Sequence, residues 1–356
     1  MVKKILVKLL LIILILTLAL DINGVGIKTA KGSGTYVGGI ISEDTVWTLE
    51  NSPYILTKHI LVQENVSLII ESGVEIRLDG HFIQVDGTLQ ALGAPERPIN
   101  IIDSIYSDVK ILFTEKSRPW NEEEKTGCLI KFVRIEGSSG HFGLIETTGA
   151  SPKITNSFLI NPAGPALYVT RGGSPSITYC TIKSNGGVSC YAGAAKIVGN
   201  IIEGTDESAG EGIVILTLNG TNVEHNIIHK FRNGIIVGSY MPSKNTSNSI
   251  VANLVTGNKI GFSFRVIISK ESFIPSRLKI FHNSIYNNIE WNVYLDPESW
   301  NLDVNMTQNW WGTTDLKAIK AKIYDFEQDF RVGRVLVEPF LTEPHPNTPT
   351  LSEVQP

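Results

Sequence analysis

The sequence predicts an all-β fold, a parallel β-helix of about ten coils in which each coil hydrogen-bonds to the next. An asparagine recurs just inside a short apolar run, at Asn200 (KIVGNII), Asn226 (NVEHNII), Asn253 (SIVANLV), Asn283 (KIFHNSI) and Asn309 (NMTQNWW). Cys180 and Ser157 fill the same slot one and two repeats earlier, so the slots from 157 to 309 follow one another at nearly even intervals. Each repeat holds runs of Ile, Val, Leu, Phe and Tyr broken by Gly, Asn, Pro or Ser, which read as short strands between turns. Between 54 and 310 no long stretch keeps the apolar period of a helix, which excludes helical repeats. The leucine framework of a leucine-rich repeat is also absent.

The asparagine column has a physical reason in such a coil. Equivalent positions on successive coils lie roughly 4.8 Å apart. A primary amide carries donors and an acceptor, so stacked amides bond up and down the column. Ser157, Cys180, Asn200, Asn226, Asn253, Asn283 and Asn309 are therefore read as a structural ladder at the inner corner of the coils.

Residues 1–30 read as a secretory signal: Lys3 and Lys4 precede an apolar run from Leu9 to Leu20 that is too short for a bilayer span. A permanent anchor is the other reading, and membrane contact is expected through this segment alone. Residues 31–53, with Trp47, are expected to cap the first coil, and the β-helix itself is expected over 54–312. Its first half has three strands per repeat: His59–Val62, Ser67–Ile70 and Glu75–Leu78, then Phe82–Val85, Thr88–Ala91 and Ile99–Ile102. In the second half, Asn226-Ile227-Ile228 leads through the turn 231–234 into Ile235-Ile236-Val237.

Open strand edges template aggregation, so the C-terminal end needs a cap as well. Thr314 or Asp315 is placed to N-cap a helix running to about Phe326, with Leu316, Ile319, Ile323 and Phe326 on one face. The cap is expected over 313–345, with a last strand at Val335-Leu336-Val337, and 346–356 as a disordered proline-rich tail.

Composition narrows the function classes. A formal charge of −4 gives no electrostatic case for nucleic acid. Three cysteines (Cys128, Cys180 and Cys190) inside strand runs read as small buried apolar residues, not as a disulfide framework. Sequons at Asn65, Asn219, Asn245 and Asn305 fit an exported, glycosylation-competent chain.

The segments TVWT (45–48), SPYI (52–55), NVSLIIESGVEIRLDG, GTLQALGAPERPINI and NWWGTTD (309–315), followed by Glu338-Pro339-Phe340, carry a family resemblance. Across roughly residues 40–345 the chain resembles the exported right-handed parallel β-helix proteins of the pectin-lyase-like superfamily of archaea and bacteria. The resemblance implies a right-handed coil and export. It leaves activity open, because that superfamily holds lyases, hydrolases, epimerases and adhesins.

Relatives that are pectate lyases use clustered aspartates for calcium beside a basic residue. Here the densest acidic loop outside 122–124 is 203–212, with Glu203, Asp206, Glu207 and Glu211 as candidate calcium ligands; no other cofactor is expected. The Asn-Thr-Asp, Asp-Asp, Gly-His-Gly and Arg-Ile-Lys elements of polygalacturonase-like hydrolases are missing. Asp79, Asp86 and Asp103 read as ordinary turn residues. His225 and His282 share an outward column two coils apart, roughly 10 Å at strand spacing, too far for one metal ion. His229 with Glu224 does not complete a coordination shell. The same objection weakens a copper-handling reading taken from related periplasmic β-helix proteins.

Trp291, Tyr294, Trp300, Trp310 and Trp311 crowd into one short stretch near the C-terminal coils. Trp310 and Trp311 are assigned to the cap. Tyr294, Asp296 and Trp300 are the candidates for glycan contact, since aromatic faces stack on sugar rings while carboxylates bind hydroxyls. The expectation is a secreted or cell-surface β-helix with no recognisable catalytic site that binds or displays polysaccharide or another cell-envelope component. Two alternatives stay open: a polysaccharide lyase or other carbohydrate-active enzyme with an atypical loop site across 203–212 and 265–301, and a purely structural envelope or adhesive rod.

Overall fold

The computed structural model describes residues 34–205, 210–239, 246–266 and 275–354, and the compact unit of the chain starts at Thr35. The expected signal segment 1–30 lies outside the described residues. The fold is a right-handed parallel β-helix with three faces. The first face is a ten-stranded parallel sheet with one strand per coil, running from Thr45–Trp47 to Leu278–Phe281. Two further faces belong to a 21-stranded sheet, joined where the nine-residue strand Tyr54–Val62 contributes to both. One coil reads Lys153–Thr155, then Phe158–Asn161, then Leu167–Thr170.

Stacking in register explains the core. On the first face Ile130, Ile154, Ile177, Ile197, Val223, Ile250 and Ile280 lie directly above one another. All seven are buried. Each such side chain contributes roughly 1.5–3 kcal/mol by leaving water.

The ladder sits at the corner after that face. Asn200 donates from Nδ2 to Asn226 Oδ1, Asn226 to Asn253 and Asn253 to Asn283, each at 2.9 Å, and Asn283 donates to Asn309 at 3.0 Å. The same Oδ1 atoms accept the backbone N–H of the Asn one coil earlier, for example Asn226 N to Asn253 Oδ1 at 2.9 Å. Nδ2 also donates to the carbonyl of an inward residue, as Asn253 does to Val223 O at 2.9 Å. Cys180 and Ser157 occupy their slots with fewer bonds: Cys180 N donates to Asn200 Oδ1 at 2.9 Å, and Val133 N to Ser157 Oγ at 3.1 Å. The residue before each slot is left-handed, with φ of 55° at Tyr179, 57° at His225, 55° at Ala252, 61° at His282 and 57° at Gln308. For non-glycine residues that backbone is unfavourable, and the amide bonds it makes possible offset the cost.

A second ladder, not anticipated from the sequence, stands at the next corner. Asn258 donates to Asn288 Oδ1 at 3.2 Å, and Phe231 N donates to Asn258 Oδ1 at 3.1 Å. Here too a left-handed residue precedes each slot: Lys230, Gly257 and Asn287. The interval from 258 to 288 equals that from 253 to 283, which was the legible signal.

Both ends differ from expectation. Where it is described, the expected N-terminal cap is itself coil: Thr35–Ile41 pairs in parallel with Tyr54–Val62, and Thr45–Trp47 with Ser67–Ile70. The C-terminal helix spans only Leu316–Lys320, N-capped by Asp315, which accepts from Lys317 N at 2.9 Å. It stops there because Ile323–Tyr324 pairs with Trp291–Leu295 and the ladder outcompetes the helix; Phe326 is left exposed. In NWWGTTD, Asn309 ends the ladder and Trp310 bridges to Ser284, while Trp311 is buried. Gly312 has φ 82°, and a Cβ there would fall 2.7 Å from Tyr286 Cβ. The stretch 346–354, expected to be disordered, is ordered against the coil: Thr348 is buried and its Oγ1 donates to His282 O at 2.8 Å.

Candidate functional site

The third face aligns one outward side chain per coil: Leu112, Glu146, Tyr168, Ser189, Val214, Ile236, Ser263 and Tyr294. Val214 and Ile236 point away from the coil interior yet are buried, and with Leu216 they form a second apolar cluster on which Tyr191 packs. This cluster fixes Tyr191 on the coil after Tyr168. Their ring centroids are 5.0 Å apart with planes tilted by 39°, and Phe142 meets Tyr168 edge-on at 5.8 Å.

Beside this aromatic row lies a groove of ≈ 390 Å³ walled by Tyr106, His141, Tyr168, Tyr191, Asn185 and Glu211. Its floor is lined by small residues, including Gly140, Gly164, Gly186 and Gly210. A Cβ on Gly140 would fall 2.0 Å from the Tyr106 hydroxyl, so Tyr106 lies directly over the floor.

Tyr106 is held there from inside the molecule. Lys110, buried in the core, donates from Nζ to Asp103 Oδ2 at 2.7 Å, Ile105 O at 2.8 Å and Ser107 Oγ at 2.9 Å. Asp103 Oδ1 accepts from Ile105 N at 2.9 Å and Gly80 N at 3.1 Å. All three ammonium protons are satisfied, as a buried charge requires. Asp103, which reads as a turn residue in the sequence, is thus half of a buried ion pair; the bulge that leads to Lys110 conceals its partner.

Among the described residues, the carboxylates on this face are not arranged as an acid–base pair. Burial raises the Glu146 carboxyl above its usual range, against the opposing Thr148 hydrogen bond at 3.0 Å. Its neighbours in the column are Leu112 and Tyr168. Glu211 stands three coils further on, about 14 Å at strand spacing, beyond the ~5–9.5 Å of glycosidase carboxylate pairs.

The residues singled out from sequence fall elsewhere. Trp300 is 1% exposed, with Nε1 donating to Leu302 O at 2.9 Å and its ring 5.3 Å from Phe264. Its ring lies in the core, so it offers no face to a sugar. Asp296 closes the turn beneath it, accepting from Ser299 Oγ at 2.7 Å and Glu298 N at 3.1 Å. Tyr294 is half-buried 4.9 Å from Tyr324, with burial first and Asp296 second raising its phenol pKa. The three therefore do not form one surface.

Glu203 and Glu211, expected as calcium ligands, are each paired with cations. Glu203 meets Lys230 at 2.7 Å, and Glu211 meets Arg232 at 3.2 Å and Arg265 at 3.8 Å. Burial would raise the Glu203 carboxyl, but the Lys230 hydrogen bond and charge outweigh it and lower it. Asp206 and Glu207 lie outside the described residues, as does Asn245. Of the other sequons, Asn65 and Asn305 are exposed and Asn219 is half-buried.

Residues 119–318, more than half of the chain, match the model of a family described as periplasmic copper-binding protein (NosD). No curated protein and no solved structure matches the chain. The described residues do not fit copper. Burial pushes the thiols of Cys128 up to about 11 and of Cys180 and Cys190 up to about 12, whereas a metal needs the thiolate. His282 and His345 stack face to face at 4.0 Å with planes 8° apart, which aims their in-plane nitrogens side by side and not at one point. Among the described residues no three His, Cys, Asp or Glu come together.

Proposed function

The chain belongs to the periplasmic copper-binding protein (NosD) family, and from that premise we propose an exported β-helix that binds a polysaccharide chain without cleaving it. The ligand lies in the groove from Tyr106 to Glu211. Tyr168 and Tyr191 on successive coils carry the reading: two rings 5.0 Å apart present aromatic surface along the direction in which the coils repeat. Asn185 and Ser189 supply amide and hydroxyl groups for sugar hydroxyls, the usual division of labour in such a pocket. Export follows from the periplasmic setting in the family's description and from the apolar N-terminal run. Among the described residues no carboxylate stands at acid–base distance from Glu211 or Glu146 on this face, which supports binding over hydrolysis.

Glycan-array screening of the full chain, followed by titration of the best ligand, tests this. Tyr168→Ala and Tyr191→Ala are expected to weaken binding about tenfold each, with the fold intact by circular dichroism. Release of reducing ends or unsaturated sugars from a bound polysaccharide would replace this reading with an enzymatic one. Unchanged affinity in both variants would remove the groove as the site.

A further inference from the structure

The first face carries a second groove, of ≈ 530 Å³, bordered by Trp120, Glu122 and Lys125 of the loop from Arg118 to Gly127. The loop is a built element. Asn121 and Thr126 pair as an antiparallel bridge, Cys128 N donates to Arg118 O at 3.0 Å, and Trp120 N donates to Ser151 O at 3.0 Å. Asn121 Oδ1 accepts from Glu123 N at 2.9 Å and Glu124 N at 3.1 Å, closing the tip.

Charge and shape in this groove are lopsided. Lys125, Lys131 and Lys153 line it, with Glu122 as the single carboxylate of the lining. Glu122 is shared by Lys125, at 3.2 Å, and Lys153. Lys131 has no carboxylate partner among the described residues and lies 5.3 Å above the Phe132 ring. Trp120, 5.8 Å from Lys153 Nζ, forms one aromatic wall, and Tyr179, 64% exposed in its left-handed turn, forms the other. Asn156, Thr155 and Thr178 place amide and hydroxyl groups between them. An occupant must bring negative charge to Lys131, flat apolar faces to Trp120 and Tyr179, and hydroxyls to the polar floor.

We propose that this groove is a binding site for a carboxylated saccharide, with Lys131 pairing the uronate carboxylate and Trp120 and Tyr179 clasping the sugar rings. The site is on a different face from the Tyr168–Tyr191 groove and stands or falls without it. A uronate matches all three demands, whereas a simple anion uses neither aromatic wall and a neutral sugar leaves Lys131 without a counter-charge.

Calorimetric titration of the full chain with trigalacturonate, and with maltotriose as the neutral control, tests the proposal. Trigalacturonate is expected to bind, maltotriose to bind at least about tenfold more weakly, and the difference to shrink as NaCl rises from about 50 to about 200 mM. Lys131→Ala and Tyr179→Ala are expected to weaken trigalacturonate about fivefold or more, Lys131→Arg to retain most of it, and Phe330→Ala, exposed and outside both grooves, to leave it unchanged. Lys131 and Tyr179 are exposed, so these variants fold, as thermal melts will verify. No binding, equal binding of the two sugars, or loss that follows Tyr168→Ala and not Lys131→Ala would each overturn it; the last would assign the uronate to the third-face groove.

Discussion

Lys110 Nζ lies 2.7 Å from Asp103 Oδ2, and both side chains are sealed from water, at 1% and 0% exposure. The pair staples residues 103–107 into the bulge that carries Tyr106 over the groove floor. Removing one partner leaves a buried charge without its counterpart. Lys110→Ala should therefore lower unfolding free energy by about 3–5 kcal/mol in urea titration. The double variant Asp103→Leu/Lys110→Met should recover much of that loss, since an apolar pair leaves no charge stranded. If Lys110→Ala alone is neutral, water reaches the pair and the staple is not needed.

The ladder predicts a graded response. Asn253→Ala removes the Oδ1 acceptor of the Asn226 N–H and one acceptor of Asn226 Nδ2, which keeps Ile197 O and Glu224 O, and it also removes the side-chain donor to Val223 O and Asn283 Oδ1. Asn200→Ala likewise removes the side-chain donor to Ile177 O and Asn226 Oδ1, but on the side of Cys180 it strips the acceptor from one N–H alone, because a thiol has no amide to offer. Thermal or urea unfolding should show a larger loss for Asn253→Ala, by about 1 kcal/mol, on a base of about 2–4 kcal/mol. Equal losses would mean that the ladder amides act independently of their neighbours.

Trp300 separates a core role from a ligand role. Its ring fills space against Phe264, so Trp300→Ala should cost about 3–5 kcal/mol of stability. Glycan affinity of the molecules that remain folded should not change. A loss of affinity at full stability would return Trp300 to the binding surface.

Acid should loosen the C-terminal stretch. Burial first, and the neighbouring His345 second, hold His282 below the usual imidazole range. A base with a depressed pKa favours its neutral form in the folded state, so the contribution is present above the ordinary value of about 6.5 and is lost as pH falls through the depressed one. Hydrogen exchange of residues 343–354 should therefore accelerate as pH drops below about 6, after correction for intrinsic exchange rates. His345→Ala should flatten that step. A pH-independent tail would show that Thr348 alone anchors it.

Much of the scaffold was determined by the sequence itself. Every coil repeats the same local problem, so the ladder from Ser157 to Asn309 and the aliphatic strands recur in print as they recur in space. Local chemistry of that kind needs no knowledge of distant partners. The second corner was half legible, in the equal spacing of Asn253–Asn283 and Asn258–Asn288.

Tertiary structure alone decided which surface can hold a ligand. Tyr168 meets Tyr191, Lys110 meets Asp103, and Lys131 shares a groove with Tyr179 because stacking and loop closure decide which outward residues meet; the interval from Tyr168 to Tyr191 equals that from Ser157 to Cys180, but no residue-type pattern marks the pair. It also placed Trp300 inside and shortened the terminal helix, where a strand edge on the last coil competed with helical hydrogen bonds and won. The outward side chains are free of the packing constraint that makes the core periodic, so their grouping appears only once the coils are stacked.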